Sequence, residues 1–273
     1  MPLDFIARVK SWNRERLKRH RARKHDARAQ LAVMGIVKNE ELNIAEWIEH
    51  YQWQGADHIF LIDNGSTDST RDIIRRYGNV TLLERPEPHR QVEHYRWAYT
   101  HCQIRKRFNW LLIADADEFW FCKEGGRVAD ALERFPETSV IYCNWSIFGG
   151  GGEKHPKSLR AELTLRQACH DHSKWVARTD ALRDSEGINI HRVHGADSGK
   201  TLTDYETFQL NHYMTQSREF WETAKMARGD VYQEEWDRRR GWAEFDDINS
   251  KCDTVDDTLA RQVIAAAPSR PRK

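Results

Sequence analysis

Four short apolar runs in the first 120 residues alternate with segments of helical periodicity, and this alternation restricts the fold more than any other feature. The runs cover residues 31–37, 58–62, 80–83 and 110–114. Apolar residues recur at helical spacing in the segments between them, over residues 42–54, 68–77 and 89–108. Strands and helices in this order favour a parallel sheet with helices on both faces. The sequence therefore predicts an α/β fold with a mostly parallel sheet.

Polar side chains follow three of these apolar runs directly. Lys38 follows the first run and Asp63 the second. Asp115, Asp117 and Glu118 follow the fourth run, within the stretch WLLIADADEFW. The carboxyl ends of parallel strands lie at one edge of the sheet, where the ligands of such folds bind. We therefore expect these side chains to share one site.

Asp115 and Asp117 are carboxylates spaced i, i+2 at the end of a buried strand, a placement suited to a hard divalent cation. Asp117 would coordinate Mg²⁺ or Mn²⁺, and Asp115 would bind ribose hydroxyls or the metal through water. The cation would neutralise a diphosphate leaving group. His212 is a candidate third ligand, and His191 and His194 form a second pair of candidates. The alternatives are an acidic surface turn for the aspartates and a packed or hydrogen-bonded imidazole for His212.

Three further side chains are candidates for contacts with a nucleotide. Asp63 would accept from a base N–H or a ribose hydroxyl, and the alternative is an Asx-turn in which it bonds the backbone of Gly65. Lys38 and Arg90 are candidates for phosphate contacts. Arg90 opens a predicted helix, and a helix N-terminus favours an anion. The alternative for both residues is surface charge.

The chain after Trp120 is less regular and contains four consecutive glycines, Gly149–Gly152. Such a run is flexible and brings no side chain to a core. A strand is predicted over residues 139–145, and residues 164–169, 174–178, 188–193 and 207–213 are predicted to be short strands or extended loops. The predicted helices cover residues 127–135 and 220–228. Residues 31–242 are expected to form one domain, followed over residues 243–273 by an acidic and then Ala/Pro/Arg-rich tail.

Basic residues are concentrated at the N-terminus of the chain. Residues 1–30 contain ten Lys and Arg and three acidic residues, a net charge of +7 against +1 for the whole chain. Phe5, Val9 and Trp12 share a helical face in this arm, which is typical of an amphipathic helix on an anionic membrane surface. The alternatives are a solvated basic arm and a nucleic-acid-binding segment, and no aromatic platform accompanies the charge to favour nucleic acid.

The composition indicates a soluble protein in a reducing compartment. No apolar run approaches the roughly 20 residues of a membrane-spanning helix, and the N-terminus lacks the continuous apolar stretch of a secretory signal. The five cysteines form no CxxC pair, which indicates neither a disulfide framework nor a zinc site. We therefore expect a cytoplasmic setting, peripheral to a membrane if the arm binds one.

Several segments together resemble a known enzyme family. IVKNEELNIAEWIEHYQWQGADHIFLIDNGSTDST resembles the opening of family 2-like glycosyltransferases of the GT-A fold, and WLLIADADEFW resembles their Asp-x-Asp strand. With NWSIFGGGG, KWVARTD and LNHYMTQSREFWETAKMARGD, these motifs resemble the sub-branch that is similar to family 92 glycosyltransferases. The resemblance covers residues 32–230 and implies a Rossmann-like sheet with an irregular acceptor-side second half. It also implies a nucleotide-sugar donor, often a UDP-sugar, a divalent metal and inversion at the anomeric carbon.

By position, the resemblance implies that Asp63 contacts the nucleoside and that Asp115 and Asp117 form the metal motif. It implies that His212 completes the metal and diphosphate site. Related members often have Phe-Gly-Ser-Ser-Gly where this chain has Phe148 and four glycines. The acceptor-side hydrogen bonds of those relatives are therefore not carried over to this chain.

In the predicted reaction, a hydroxyl of a glycan or glycolipid attacks the anomeric carbon opposite the diphosphate, and a carboxylate removes its proton. Asp171 and Glu153 are the candidates for this base, because both lie in the irregular half near the glycines. Glu118 is expected behind the metal ligands, and Phe119 and Trp120 beneath the donor sugar.

Two other classes of protein fit parts of this pattern. A nucleotidyltransferase also uses paired carboxylates and metal, but it would carry a Gly-rich, basic phosphate loop after the first strand, where this chain has Lys38-Asn39-Glu40-Glu41. A non-catalytic nucleotide-sugar-binding protein would not need Asp115, Asp117 and His212 together. A metal-dependent glycosyltransferase is therefore the expected function.

Overall fold

The computed structural model describes residues 29–168, 171–228 and 240–266. The predicted basic arm, apart from residues 29 and 30, and the end of the chain from residue 267 lie outside the described residues. Within the described ranges, no helix has both the length and the apolar content needed to cross a membrane. Four cysteines in these ranges are free thiols: Cys102, Cys122, Cys143 and Cys252.

The elements alternate in the first half of the chain and become mostly strands in the second. The strands are β1 Leu31–Val37, β2 His58–Asp63, β3 Val80–Glu84, β4 Trp110–Ile113, β5 Glu118–Cys122, β6 Val140–Phe148, β7 Leu165–Arg166, β8 Ser173–Arg178, β9 Thr201–Thr203, β10 Phe208–Tyr213 and β11 Thr254–Val255. The α-helices are α1 Ile44–Trp53, α2 Thr70–Ile74, α3 Gln91–His101, α4 Ile104–Arg107, α5 Val128–Ala131, α6 Leu159–Glu162, α7 Arg218–Phe220, α8 Met226–Arg228, α9 Trp242–Ser250 and α10 Thr258–Ala266. The 3₁₀ turns are Leu132–Arg134, Thr179–Ser185 and Ser198–Lys200, and Trp221–Lys225 is a π-helical turn.

Strands β3, β2, β1 and β4 lie side by side in that order, and each neighbouring pair is parallel. Strand β8 continues the sheet antiparallel to β4, and β6 pairs antiparallel with β8. The predicted α/β fold with a largely parallel sheet is thereby confirmed in the first half. The mixed pairing after β4 corresponds to the irregular second half of the sequence.

Strand β1 is buried on both faces, which is typical of a central parallel strand. Leu31 and Val33 belong to one hydrophobic cluster with helix α1, whereas Ala32 and Met34 belong to a second cluster with helix α3. Because successive side chains of a strand point to opposite faces, one continuous apolar run supplies both layers of the core. The sheet is therefore held rigidly where its polar strand ends form a site.

The second half of the chain adds strands that the sequence pattern only partly predicted. Strand β10 lies between β5 and β6, antiparallel to the first and parallel to the second. Strand β5 was not predicted, because no turn residue separates it from the acidic cluster, and all five of its residues are buried. The pairing of β10 with β5 brings a late segment of the chain to the acidic turn.

Two predicted helices have different bounds in the structure, and one open prediction is decided. The helix predicted over residues 89–108 is divided into α3 and α4, because Gln103 adopts a positive φ of 52° between them. The helix predicted over residues 68–77 is confined to α2. Residues 188–193, predicted as a short strand or an extended loop, are a loop, and the Tyr142 hydroxyl of β6 accepts a hydrogen bond of 2.9 Å from the Val193 N–H.

Residues 242–266, from the segment predicted as an acidic tail, pack against the rest of the fold. Phe245 and Ile248 of α9 form a hydrophobic cluster with Trp221 and Ile147. Strand β11 pairs antiparallel with β7, and Leu259 of α10 is buried in the main core. Apolar residues spaced along this acidic segment therefore attach it to the sheet.

Candidate active site

The turn between β4 and β5 carries the two aspartates and is fixed by hydrogen bonds on both sides. The N–H of Glu118 donates to the Asp115 carbonyl at 3.0 Å, and the N–H of Asp115 donates to Oε2 of Glu118 at 2.9 Å. The indole N–H of Trp47, from α1, donates to the same Asp115 carbonyl at 2.8 Å. Glu118 therefore lies behind the aspartates, as predicted, and shapes the turn that presents them.

Strand β10 places His212 beside this turn. Its register sets His212 opposite Glu118, and the N–H of Tyr213 donates to the Asp117 carbonyl at 2.9 Å. As a result, Nε2 of His212 lies 3.4 Å from Oδ1 of Asp117. The structure thus brings His212, from late in the chain, to the predicted pair of Asp115 and Asp117.

Two buried lysines neutralise the two aspartates. Nζ of Lys174, at the start of β8, lies 2.7 Å from Oδ2 of Asp115 and 3.6 Å from Oε2 of Glu118. Nζ of Lys225, on the π-helical turn, lies 2.5 Å from Oδ2 of Asp117. Single π-helical turns occur frequently at functional sites, because they change which side chains face a pocket. Each carboxylate of the acidic motif therefore has its own cationic partner.

The charged groups of this site shift one another's pKa values. Burial would raise the pKa of the Asp117 carboxyl, but Lys225 and then His212 outweigh it and hold that pKa well below its usual range. Burial would lower the pKa of Lys174, but Asp115 and Glu118 raise it. Burial raises the pKa of the Glu118 carboxyl well above its usual range, although Lys174 opposes this. At neutral pH, Asp117 is therefore ionised and Lys174 is charged.

The acidic turn forms one wall of a cavity of about 460 Å³ at the carboxyl edge of the sheet. Four residues proposed from the sequence as ligand or metal contacts line it, namely Lys38, Asp115, Asp117 and His212, and so does His191. Its other polar and aromatic lining residues are Glu40, Asn64, Gln91, Trp145, His172, Lys225 and Arg240. The cavity therefore combines carboxylates, imidazoles and cationic groups in one space.

Other predicted site residues lie outside the lining of this cavity. Asp63 is buried, and its carboxylate accepts hydrogen bonds from the N–H groups of Gly65 and Ser66, which is the Asx-turn alternative. Arg90 is exposed at the residue before α3. Asp171 is also exposed, and the side chain of Glu153 is 83% exposed and 3.6 Å from Arg218. The structure brings none of Arg90, Asp171 and Glu153 into the cavity.

Two aromatic residues expected beneath the donor sugar lie in the core instead. Phe119 packs edge-on against Tyr213, and Trp120 packs against Phe208. Both are fully buried and neither lines the cavity. That prediction is wrong, because Phe119 and Trp120 belong to a strand that is covered on both faces. Trp145 is the tryptophan in the cavity wall, with its ring centroid 4.4 Å from that of His212.

The glycine-rich turn is packed rather than free. The N–H of Gly150 donates to Oγ1 of Thr215 at 2.9 Å and to Oδ1 of Asn249 at 2.8 Å. A Cβ on Gly150 would overlap the carbonyl group of Gln216. The backbone of this turn therefore passes too close to the loop after β10 for any side chain at position 150.

A protein-family model matches the part of the chain that contains this site. The model described as "Glycosyltransferase family 92" matches residues 32–254, which is most of the chain and includes every residue of the acidic turn and its partners. The chain belongs to glycosyltransferase family 92. The predicted resemblance to family 92 glycosyltransferases is therefore confirmed.

The curated relatives of this family 92 chain are plant proteins. A glycosyltransferase family 92 protein of Oryza sativa subsp. japonica is 26% identical over 76% of this chain and 37% of the relative. A family 92 protein of Ricinus communis is 21% identical over 76% of this chain and 39% of the relative. The chain therefore spans less than two fifths of the length of these relatives.

Solved glycosyltransferase structures are similar at low identity. S. aureus TarS 1-349 in complex with UDP has a TM-score of 0.39 and 14% identity over 81% of this chain and 69% of that chain. Glucosyl-3-phosphoglycerate synthase from Mycobacterium tuberculosis, in complex with Mn²⁺, UDP-glucose and phosphoglyceric acid, has a TM-score of 0.36 and 15% identity. That match covers 58% of this chain and 60% of the synthase.

The donor atoms of this family 92 site suit a divalent cation by type. Asp115 and Asp117 offer hard carboxylate oxygens, and Nδ1 of His212 is buried with no hydrogen-bond partner among the described residues. In the part of the chain that the structure describes, however, no three His, Cys, Asp or Glu side chains form a ready metal-binding group. A cation would have to replace Lys225 on Asp117 and Lys174 on Asp115.

Sequence reasoning missed the two lysines and Arg240. Lys174 and Lys225 lie within KWVARTD and LNHYMTQSREFWETAKMARGD, the segments that carry the family resemblance. The start of the helical segment that carries Lys225 is marked by Ser217, whose side chain caps it by accepting from the Phe220 N–H at 3.1 Å. No local pattern indicates that either lysine faces an aspartate.

Proposed function

We propose that this protein transfers a sugar from a UDP-sugar to a hydroxyl group of a glycan or glycolipid, with inversion at the anomeric carbon. The observation that carries the proposal is the convergence of Asp115, Asp117, His212 and Lys225 in the lining of one cavity, with Lys174 paired to Asp115. Negative charge develops on a diphosphate leaving group as it departs, and positive groups stabilise that charge. Cationic side chains line this cavity beside the acidic turn.

We propose that three cationic side chains bind the diphosphate. Lys38, Lys225 and Arg240 all line the cavity. Nη1 of Arg240 is buried without a hydrogen-bond partner among the residues that the structure describes, and it lies 4.0 Å from a carboxylate oxygen of Glu244. A buried guanidinium N–H without an acceptor is costly, and phosphate oxygens are the acceptors that arginine binds best. Lys225 would exchange its bond to Asp117 for a phosphate oxygen.

We also propose that a divalent cation, Mn²⁺ or Mg²⁺, binds with the donor. Asp117 and His212 would hold it, and Asp115 would contact it through water or bind the ribose. Bound there, the cation would act as a Lewis acid on the diphosphate. Asp63 remains the proposed contact for the nucleoside, since its neighbour Asn64 lines the cavity and carboxylate oxygens accept more than one hydrogen bond.

Ligand-dependent thermal stabilisation tests the proposal. UDP, GDP and CMP would each be added with and without Mn²⁺, to the wild-type protein, to Asp117→Asn and to Glu124→Gln. Glu124 is an exposed carboxylate in the same acidic region and is the matched control. A ligand at about 100 times its Kd stabilises the folded state by about 2.7 kcal/mol, a rise in Tm of a few degrees for a chain of this size.

We expect UDP to raise the Tm more than GDP or CMP does, and Mn²⁺ to increase the rise caused by UDP. The Asp117→Asn protein should lose this rise in Tm, whereas the Glu124→Gln protein should keep it. Equal and metal-independent responses to all three nucleotides would contradict the proposal. Stabilisation by UDP without cleavage of any UDP-sugar would instead support a non-catalytic nucleotide-sugar-binding protein.

A further inference from the structure

The group that removes the acceptor proton must lie in the cavity. Asp171 and Glu153, the carboxylates predicted for this role, are exposed and do not line it. Among the described lining residues, the side chains that can accept a proton are Glu40, Asp115, Asp117, His172, His191 and His212. These six residues are therefore the candidates for the base.

Four of the six have other roles in the geometry. Asp115 and Asp117 are ion-paired with lysines, and His212 faces Asp117 at 3.4 Å. Oε2 of Glu40 accepts a hydrogen bond of 3.0 Å from the Asn43 amide, which holds it at the start of α1. The remaining candidates are His172, directly before β8, and His191, in the loop that follows the 3₁₀ turn after β8.

One of these two imidazoles has its tautomer set by the backbone. Nδ1 of His191 lies 3.0 Å from the carbonyl oxygen of Ser173. Because a carbonyl oxygen only accepts hydrogen bonds, Nδ1 must carry the proton. Nε2 then has the free lone pair, which is the form that a general base requires.

Aromatic packing fixes the position of the His191 ring. Its centroid lies 5.5 Å from that of Trp145 at an interplanar angle of 75°, and 5.9 Å from that of His172 at 79°. His212 contacts the same Trp145 ring at 4.4 Å. His191 is therefore one indole ring away from the proposed cation and diphosphate end of the cavity, a separation suited to the acceptor side of a sugar.

The charged groups that influence His191 come from β8, from the segment before it and from the acidic turn. They are Lys174, His172 and Asp115. Burial first, and then the positive charge of Lys174, lower the pKa of His191, while Asp115 and the Ser173 carbonyl oppose this. The ring is therefore neutral at neutral pH.

We propose that Nε2 of His191 removes the proton from the acceptor hydroxyl; this rests on the glycosyl transfer proposed above. As the acceptor oxygen bonds to the anomeric carbon, the bond between that carbon and the diphosphate oxygen breaks, and its electron pair leaves with the diphosphate. The proton moves to Nε2, and the imidazolium then releases it to water. Lys174 favours that release by repelling the second positive charge.

Release of UDP from UDP-glucose, UDP-galactose and UDP-N-acetylglucosamine, with water as acceptor, tests the role of His191. The variants are His191→Gln, His191→Ala and, as the control, His101→Gln at an exposed histidine outside the cavity lining. We expect His191→Gln to lower kcat by on the order of 10²- to 10⁴-fold with an unchanged UDP-induced rise in Tm. The fall in kcat at acid pH should be absent from the pH profile of His191→Gln. Added imidazole should restore activity to His191→Ala.

A His191→Gln protein within threefold of the wild-type kcat would overturn the assignment while leaving the glycosyltransferase proposal intact. A wild-type protein that neither binds UDP nor cleaves a UDP-sugar would remove the proposed function itself. The tautomer is tested without turnover by the ¹⁵N shifts of the His191 ring, assigned by comparison with His191→Gln. A protonated Nε2 in the free protein at neutral pH would also overturn the assignment.

Discussion

Nζ of Lys225 lies 2.5 Å from Oδ2 of Asp117, and both side chains are buried where the cavity meets the sheet. The two residues are 108 positions apart in the chain. A buried charge is costly unless it is paired, so each side chain depends on the other. The same bond occupies a carboxylate oxygen that a divalent cation would need. This pair therefore links the stability of the fold to the affinity of the site.

Lys225→Met should lower the free energy of unfolding by about 3–5 kcal/mol, because it leaves Asp117 buried without its cation. Asp117→Asn alone should also destabilise, since it removes the carboxylate charge that faces buried Lys225. The double variant should lose less than the sum of the two single losses. Urea denaturation at pH 7 measures all three, and Lys106→Met, at an exposed lysine, should stay within about 0.5 kcal/mol of wild type. Strict additivity would show that the pair contributes nothing.

Acid should destabilise the wild-type protein more steeply than Asp117→Asn. The pKa of Asp117 is held well below its usual range in the folded protein, chiefly by Lys225 against the effect of burial. A carboxyl with a depressed folded-state pKa contributes stability above its unfolded pKa of about 3.9 and loses it as the pH falls through the folded value. The difference between the unfolding free energies of the two proteins should therefore stay constant above about pH 5 and shrink progressively as the pH falls below about 4. Parallel curves, with Glu124→Gln following wild type, would argue against this pKa.

Removing Lys225 should tighten the binding of Mn²⁺. The lysine and the cation compete for the same oxygen of Asp117, and a positive charge within a few ångströms repels a divalent ion. We expect Lys225→Met to bind Mn²⁺ at least about tenfold more tightly than wild type, a gain of about 1.4 kcal/mol. Electron paramagnetic resonance of free Mn²⁺ measures this without turnover. If neither protein binds Mn²⁺, with or without UDP, the proposed metal is wrong.

Gly150→Ala should be strongly destabilising, whereas Gly151→Ala should be nearly neutral. A Cβ at position 150 would overlap the carbonyl group of Gln216, but one at position 151 meets no atom within 4 Å. Relieving the overlap at position 150 requires movement of the backbone. Overpacking of this kind lowers the free energy of unfolding by about 1–3 kcal/mol or more. Chemical denaturation of the two variants gives the comparison. Similar stabilities for the Gly150→Ala and Gly151→Ala proteins would show that the loop after β10 moves at little energetic cost.

The first half of the fold was predictable because its signals are local. The burial of β1 on both faces, the stop of α1 at Gly55 with φ +86°, and the polar ends of β1, β2 and β4 depend on residues close together in the chain. Asp115 and Asp117 were found in this way. Strand β5 was missed because the local pattern is ambiguous there, since the strand continues from the acidic turn without a break.

The partners of the acidic turn depend on long-range packing. Lys174 reaches Asp115 across 59 positions because β8 pairs antiparallel with β4, and Lys225 reaches Asp117 through a π-helical turn. The tautomer of His191 depends on one backbone carbonyl, that of Ser173. The sequence by itself determined the sheet and the acidic motif at its edge, since periodicity and turn chemistry act over a few residues. Only the tertiary structure decided which charges face that motif, because strand pairing and helix geometry set those distances.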